Sequence, residues 1–151
     1  MKNYRITNVV LDSEQIYRAM MAEYALIVAG KSEEEAPMQY AKCDLPGIFK
    51  VLYTEELGAV CSKIGGYIDN VEATTEGLTR IALRLPSMAP AMLYSLLRRR
   101  MEDCIVASVL LRCLLPVKST QAEYRQLVDR SRLALRSLRH LLAPRSLKMR
   151  L

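Results

Sequence analysis

The feature that most constrains how this chain can fold is a long amphipathic segment, residues 121–142. Its apolar side chains recur at helical spacing and share one face: Tyr124, Leu127, Val128, Ala134, Leu135, Leu138, Leu141 and Leu142. Thr120 and Glu123 match the S/T-x-x-E capping pattern that opens a helix, and Pro144 ends it. A helix with one apolar face must bury that face, so the rest of the chain has to supply a packing surface.

Three further helices are predicted, from about 13 to 29, from Pro46 to about 67, and from Ser87 and Pro90 to about Leu115. The carboxylate of Asp12 is placed to cap the first helix, with Gln15 three residues further on, and Gly30 is placed to end it. Pro116 closes the third helix. These boundaries give four helices in all.

Between the second and third helices the sequence period changes from helical to twofold. Ile81, Leu83 and Leu85 are predicted to point inward, and Arg80, Ala82 and Arg84 outward. Residues 68–73 are predicted to pair with this strand as a hairpin across residues 74–77, and residues 4–11 form a further candidate strand. A two-stranded hairpin is marginal alone, so it must pack on the helices or pair with another chain through its open edge.

The expected fold class is therefore mainly α, of the α+β kind, with about four helices and a small β-hairpin or short sheet between helices two and three. A length of 151 residues fits one domain, which we assign to residues 1–143. Residues 144–151 form a basic C-terminal tail.

Cysteine usage and hydropathy indicate an intracellular protein without a metal or cofactor. The four cysteines, at 43, 61, 104 and 113, include no C-x-x-C pair, and His140 is the single histidine that could join them. We interpret them as reduced, small apolar core residues in a cytoplasmic setting. The apolar run Val9–Leu11 is too short for a signal peptide, and the run from 104 to 115 falls short of the ~20 residues that span a bilayer.

No catalytic motif is predicted. The string Gly30-Lys31-Ser32 copies the end of a phosphate-binding loop, but it lies at the end of a predicted helix instead of after a strand. Glu55 and Glu56 point about 100° apart on their helix, so they do not form a facing acid/base pair. A protein that is not an enzyme is the expectation.

The net charge of +6 is concentrated at the C-terminal end of the chain. Residues 1–115 hold 13 basic and 14 acidic side chains, whereas residues 116–151 hold 9 basic and 2 acidic ones. The cations that line the polar side of the last helix and continue into the tail form one candidate face: Arg125, Arg132, Arg136, Arg139, Arg145, Lys148 and Arg150. This face either binds nucleic acid or an acidic protein partner, without base-specific contacts, or is simply a solvated surface.

The third helix is apolar on every side from Cys104 onward. Such a helix is either central in its own domain or shared with a neighbouring subunit. Arg100 falls within the apolar arc and needs a buried or intersubunit acceptor, whereas Arg98 is expected to pair with Glu102 one turn on. The candidate subunit interface consists of Arg100, Val106, Val109, Leu110, Arg112 and Leu133.

The order of elements resembles a family of small uncharacterised structural proteins from prophages and tailed phages of the Bacteroides group. The resemblance is carried by "ALIVAGK" at the end of the first helix, the strand running into Leu-Pro in "IALRLPSMAPAML", the "LLP" that closes the third helix, and the arginine-rich last helix. It implies a virion or neck-assembly component, of the head-tail connector or tail-completion type, that assembles as a ring with other phage structural proteins as neighbours. No catalytic residue is carried over by the resemblance.

Two functional hypotheses follow. The first is a non-enzymatic phage or prophage structural or assembly protein that acts by oligomerisation, located in the host cytoplasm or in the virion. The alternative is a DNA-associated accessory protein that uses the arginine face of the last helix.

Overall fold

A computed structural model describes residues 4–29, 45–74, 76–114 and 121–143. The strands are β1 Tyr4–Asp12, β2 Ile68–Ala73 and β3 Leu78–Pro86. The helices are α1 Ser13–Val28, α2 Leu45–Lys63, α3 Leu93–Cys113 and α4 Gln121–Leu142, and a short 3-10 turn, Gly65–Tyr67, follows α2. Four helices with a small antiparallel sheet confirm the predicted α+β class.

The sheet has three strands in the order β1-β3-β2. The predicted hairpin of β2 and β3 is present, and β1 pairs antiparallel with the other side of β3, with Val9 opposite Ile81. The third strand therefore stabilises a hairpin that would be marginal alone. The strand at residues 4–11 was expected, but its place beside β3 was not.

The alternation predicted for β3 is confirmed at five of its six positions. The inward-facing residues Ile81, Leu83 and Leu85 are buried, and Arg80 and Arg84 are exposed. The exception is Ala82, which was expected outside and is only 9% exposed. It lies on the central strand between Asn8 and Asn70, and a methyl group is short enough to be shielded by such neighbours.

Most helix boundaries follow the sequence signals. Asp12 caps α1, since its Oδ1 accepts hydrogen bonds from the backbone N–H groups of Glu14 at 3.0 Å and Gln15 at 3.5 Å. The third helix begins at Leu93 and not at Ser87, because the segment after β3 first makes tight turns, one of them from Leu93 N–H to Pro90 O at 3.0 Å. Gly30, Thr120 and Pro144 lie outside the described residues.

The helix α3 is the centre of the core. One face packs towards the sheet and α1, another towards α2, and a third against α4. Its fully buried residues cover almost every direction: Leu93, Leu97, Met101, Ile105, Ala107, Val109 and Leu110 are each at most 1% exposed. The helix α4 packs mainly on α3, and its exposed residues lie on the opposite side of α4 from this contact.

The prediction that Val106, Val109 and Leu110 face another subunit is corrected by this packing. Val106 is 3% exposed, and the other two are fully buried in the core of their own chain. Four helices alone would leave one side of α3 uncovered, so full enclosure needs a further layer. It is achieved because the three-stranded sheet covers the side that the helices leave open.

Candidate interaction surfaces

The outer face of α4 brings together four of the predicted basic residues: Arg125, Arg132, Arg136 and Arg139 are all exposed. The other members of the predicted face, Arg145, Lys148 and Arg150, lie outside the described residues. Leu133, which was assigned to a subunit interface, is 60% exposed on the same helix. We call the four arginines of α4 the arginine face.

The four guanidinium groups of the arginine face form no ion pair among the described residues, although the exposed Asp129 lies on the same side of α4. Across the described ranges, no carboxylate lies within ion-pair distance of its four guanidinium groups. Most of the other described arginines pair with a carboxylate, with Arg99 and Arg5 as exceptions. The pairs on the surface are Arg18 with Glu14, Arg80 with Glu72, Arg84 with Asp69, and Arg98 with Glu102, the last as predicted from spacing. Unpaired guanidinium groups on one helix create a positive potential that attracts anionic partners.

Arg130 has a different role, which the sequence pattern did not reveal. It extends from the flank of α4 and joins Glu23 of α1 to Asp103 of α3, with its Nη2 3.1 Å from Asp103 Oδ1. Burial opposes the charge on Arg130, but these two carboxylates outweigh it, so the pKa of Arg130 is raised. Its partners lie 107 and 27 positions away in the chain, so no local spacing signals them.

Arg100 and Arg112 both find acceptors within their own chain. Arg100 donates to the hydroxyl of Ser137 on α4 at 3.1 Å and lies 3.7 Å from Asp103. Its side chain is 39% exposed, and its acceptor is a partly buried hydroxyl of the same chain in place of the expected fully buried or intersubunit one. Arg112 pairs with both Glu55 and Glu56 of α2. Neither arginine requires an acceptor from a second subunit.

A polar seam crosses the contact between α3 and α4. The hydroxyls of Ser108 and Ser131 are 2.9 Å apart, and the Cys104 thiol donates to the backbone carbonyl of Ser131 at 3.8 Å. Burial raises the pKa of the Cys104 thiol, and it raises that of Cys113 to about 11. Since the thiolate is the nucleophile, these cysteines are unreactive core residues at neutral pH. Cys61 is free and half-buried, and Cys43 lies outside the described residues.

Two shallow grooves flank the Arg130 bridge. The larger, of about 230 Å³, lies between α1 and α4 and has Leu26, Ile27 and Leu127 on its apolar side. The smaller, of about 110 Å³, lies between α1 and α3, and Glu23 and Arg130 border both grooves. Both volumes are below the range of about 300–1,000 Å³ that is usual for small-molecule sites.

Among the described residues, the sheet has one open face and two open edges. On the outer face, Tyr4 and Ile6 are 55% and 46% exposed. Both side chains come from β1, which is an edge strand of nine residues. Within the described ranges this edge pairs with no other strand. It combines free backbone groups with exposed apolar side chains, which is the usual signature of a surface that binds another strand.

Two further properties concern the described residues. None of their helices combines the length and apolar character needed to cross a bilayer. Their His, Cys, Asp and Glu side chains form no group of three or more that could hold a metal ion.

Comparisons of this chain with known protein families, with curated proteins and with solved structures found no match.

Proposed function

We propose that this chain is a non-enzymatic structural or assembly protein that acts by self-association and by docking on neighbouring proteins. The observation that carries the proposal is the open edge of β1 beside the uncovered face of the sheet. Five of its nine residues direct their backbone N–H and C=O groups to this edge, and such unpaired groups beside the exposed side chains of Tyr4 and Ile6 are a liability in a protein that works alone. They are useful in a protein that works by pairing with another chain.

The sequence resemblance supports a more particular version of this proposal. The protein would be a component of a phage or prophage, of the head-tail connector or tail-completion type, present in the host cytoplasm and then in the virion. The buried thiols of Cys104 and Cys113, with their raised pKa values, are consistent with a role without nucleophilic chemistry.

Size-exclusion chromatography with light scattering, over a range of protein concentrations, tests the self-association. We expect the measured mass to rise above 17.1 kDa as the concentration increases. A mass that stays at the monomer value at several hundred micromolar, both alone and with the products of neighbouring genes, would rule the proposal out.

The second candidate function is binding of nucleic acid through the arginine face. The specific observation in its favour is that four exposed guanidinium groups lie along α4 without a carboxylate partner among the described residues. Phosphate groups would supply the missing counter-charge, and contact through arginine and phosphate alone predicts binding without sequence preference.

Binding to a short DNA duplex, measured by fluorescence anisotropy at several salt concentrations, tests this function. We expect affinity to fall as salt rises, with a slope of about −0.9 for each phosphate contact, and to be lost when Arg125, Arg132, Arg136 and Arg139 are all replaced by Gln. The matched control replaces Arg18, Arg80, Arg84 and Arg99 by Gln, which removes the same charge from other surfaces. An equal loss in both variants would indicate a net-charge effect and exclude a dedicated face.

A further inference from the structure

The direction of the backbone groups along β1 follows from one hydrogen bond just beyond its end. Ser13 N–H donates to Gly77 O at 3.1 Å, which continues the pairing of β1 with β3 by one step. In an antiparallel ladder the bonded residues alternate, so the odd-numbered residues of β1 bond to β3. The N–H and C=O groups that point to the open edge therefore belong to Tyr4, Ile6, Asn8, Val10 and Asp12.

The other edge of the sheet, β2, is less suited to pairing. Its register with β3 shifts between Ile68 and Asn70, which marks a bulge. Its outer positions carry Asp69 and Glu72, which pair with arginines of β3. Bulges and charges are the features that protect natural sheet edges, whereas β1 is regular in register over its whole length.

We propose that β1 pairs antiparallel with β1 of a second copy of this chain, across a twofold axis at Asn8. The two sheets then form one continuous six-stranded sheet. This inference rests on the self-association proposed above and identifies the surface that mediates it. The sequence predicted that the open edge of the hairpin would pair with another chain. The structure favours the edge of β1 for this role.

The sequence of β1 is complementary to itself in this register. Asn8 faces Asn8 on the axis, so their side-chain amides can hydrogen-bond to each other. Ile6 of each copy lies opposite Val10 of the other, which gives two β-branched apolar pairs on the open face of the sheet. Each facing pair joins even-numbered residues, whose backbone groups are the ones that point outward.

Charge does not oppose this arrangement. In this register Arg5 lies opposite Leu11 of the other copy and Asp12 lies opposite Tyr4, so no like charges face each other across the interface.

The size of the interface predicts its strength. A nine-residue strand extends about 31 Å, and its edge buries on the order of 300 Å² per copy. Stable complexes usually bury about 800 Å² per partner. We therefore expect a dimer that dissociates on dilution in the micromolar range.

Disulfide cross-linking tests the register directly. In the variant Asn8→Cys the two introduced thiols face each other across the axis, where a Cα separation of about 5.5 Å suits a disulfide. In the control variant Ile6→Cys the two thiols lie four residue steps apart, about 14 Å, and no disulfide forms between them. The unmodified chain, oxidised in the same way, gives the background from Cys43 and Cys61.

Peptide mapping by mass spectrometry would then locate the cross-link. We expect Asn8→Cys to give at least ten times more disulfide-linked dimer than Ile6→Cys, with the bond at position 8. If Ile6→Cys links as well as Asn8→Cys, the register is wrong and the proposal fails. Circular dichroism of both variants verifies that each is folded.

A proline variant separates this proposal from the broader one. Asn8→Pro removes an N–H that points to the open edge and leaves the bonds between β1 and β3 in place. We expect its dimerisation midpoint to shift at least tenfold to higher concentration, with an unchanged circular dichroism spectrum. If the variant and the unmodified chain associate equally, the interface lies elsewhere and only the β1 proposal fails. If the unmodified chain is a monomer throughout, both proposals fail.

Discussion

The side chain of Arg130, on α4, forms ion pairs with two other helices. It pairs with Glu23 of α1 and Asp103 of α3, and its side chain is 35% exposed. Breaking a fully buried ion pair costs about 3–5 kcal/mol, and this site is only partly buried. We therefore expect Arg130→Met to lower the free energy of unfolding by about 1–2 kcal/mol, because Glu23 loses its cation and Asp103 keeps only its longer contact with Arg100.

Urea denaturation measures this effect, and Arg132→Met is the matched control. The control removes the same charge from the arginine face, where no described carboxylate is paired with it. Its effect should stay within about 0.5 kcal/mol. Equal effects from the two variants would mean that the bridge does not contribute to stability.

Gly77 is the one described residue whose backbone requires glycine. Its φ is +80°, and a Cβ at this position would lie 2.8 Å from the hydroxyl oxygen of Ser13. Gly77→Ala is expected to destabilise the protein by about 1–2 kcal/mol through strain at this turn. The loss is measured by thermal unfolding. Gly58→Ala is the control with the opposite sign, because nothing in the structure would contact the added methyl group and alanine favours the helix α2 more than glycine does. This variant should raise the free energy of unfolding by about 0.5–1 kcal/mol.

At the scale of elements, the contact between α3 and α4 is the largest helix–helix contact in the described structure. Leu138 of α4 is fully buried in it, whereas Leu133 of the same helix is 60% exposed. Leu138→Ala should lower the free energy of unfolding by about 2–5 kcal/mol, since it removes buried methyl groups and leaves a cavity.

Leu133→Ala is the control for this prediction because it makes the same chemical change on the same helix. We expect it to alter the unfolding free energy by about 0.5 kcal/mol or less in urea denaturation. A large loss at Leu133 would instead mean that this side chain is buried in solution, as it would be in a complex.

The helix boundaries show where local sequence signals were sufficient to predict the structure. The 22 residues of α4 have the predicted boundaries, and their buried positions, such as Leu127 and Leu138, lie on the predicted face. This agreement reflects a strong local signal, since the apolar stripe repeats over six turns. The start of α3 was placed six residues too early, because the prolines at 86 and 90 fit both a helix start and a series of turns.

At the scale of the whole molecule, α3 couples every part of the described structure. It packs against the sheet through β1 and against α1, α2 and α4. We therefore expect one cooperative unfolding transition, with no separate loss of α4. The transition in far-UV circular dichroism, which reports the helices, should coincide with the transition in the near-UV tyrosine signal, which reports tertiary packing and includes Tyr53 of α2 beside Thr79 of β3. Two separated transitions would contradict this expectation.

The two proposed surfaces belong to different elements. The open edge belongs to β1, and the arginine face belongs to α4, which packs mainly on α3 and not on the sheet. Pairing through β1 would leave both arginine faces of a dimer accessible, so the two proposed functions can operate in one protein. The four-arginine variant is thus suited to test anion binding without affecting dimerisation.

The sequence by itself determined the helices, the hairpin, the face that each element buries and the concentration of positive charge near the C-terminus. These properties depend on residues within a few positions of each other in the chain, where the helical and twofold periods of apolar residues can be recognised. Only the tertiary structure decided that β1 joins β3, that α3 is enclosed by its own chain, and that Arg130 meets Glu23. Such contacts join residues far apart in the chain, and they are set by how the elements close around a common core.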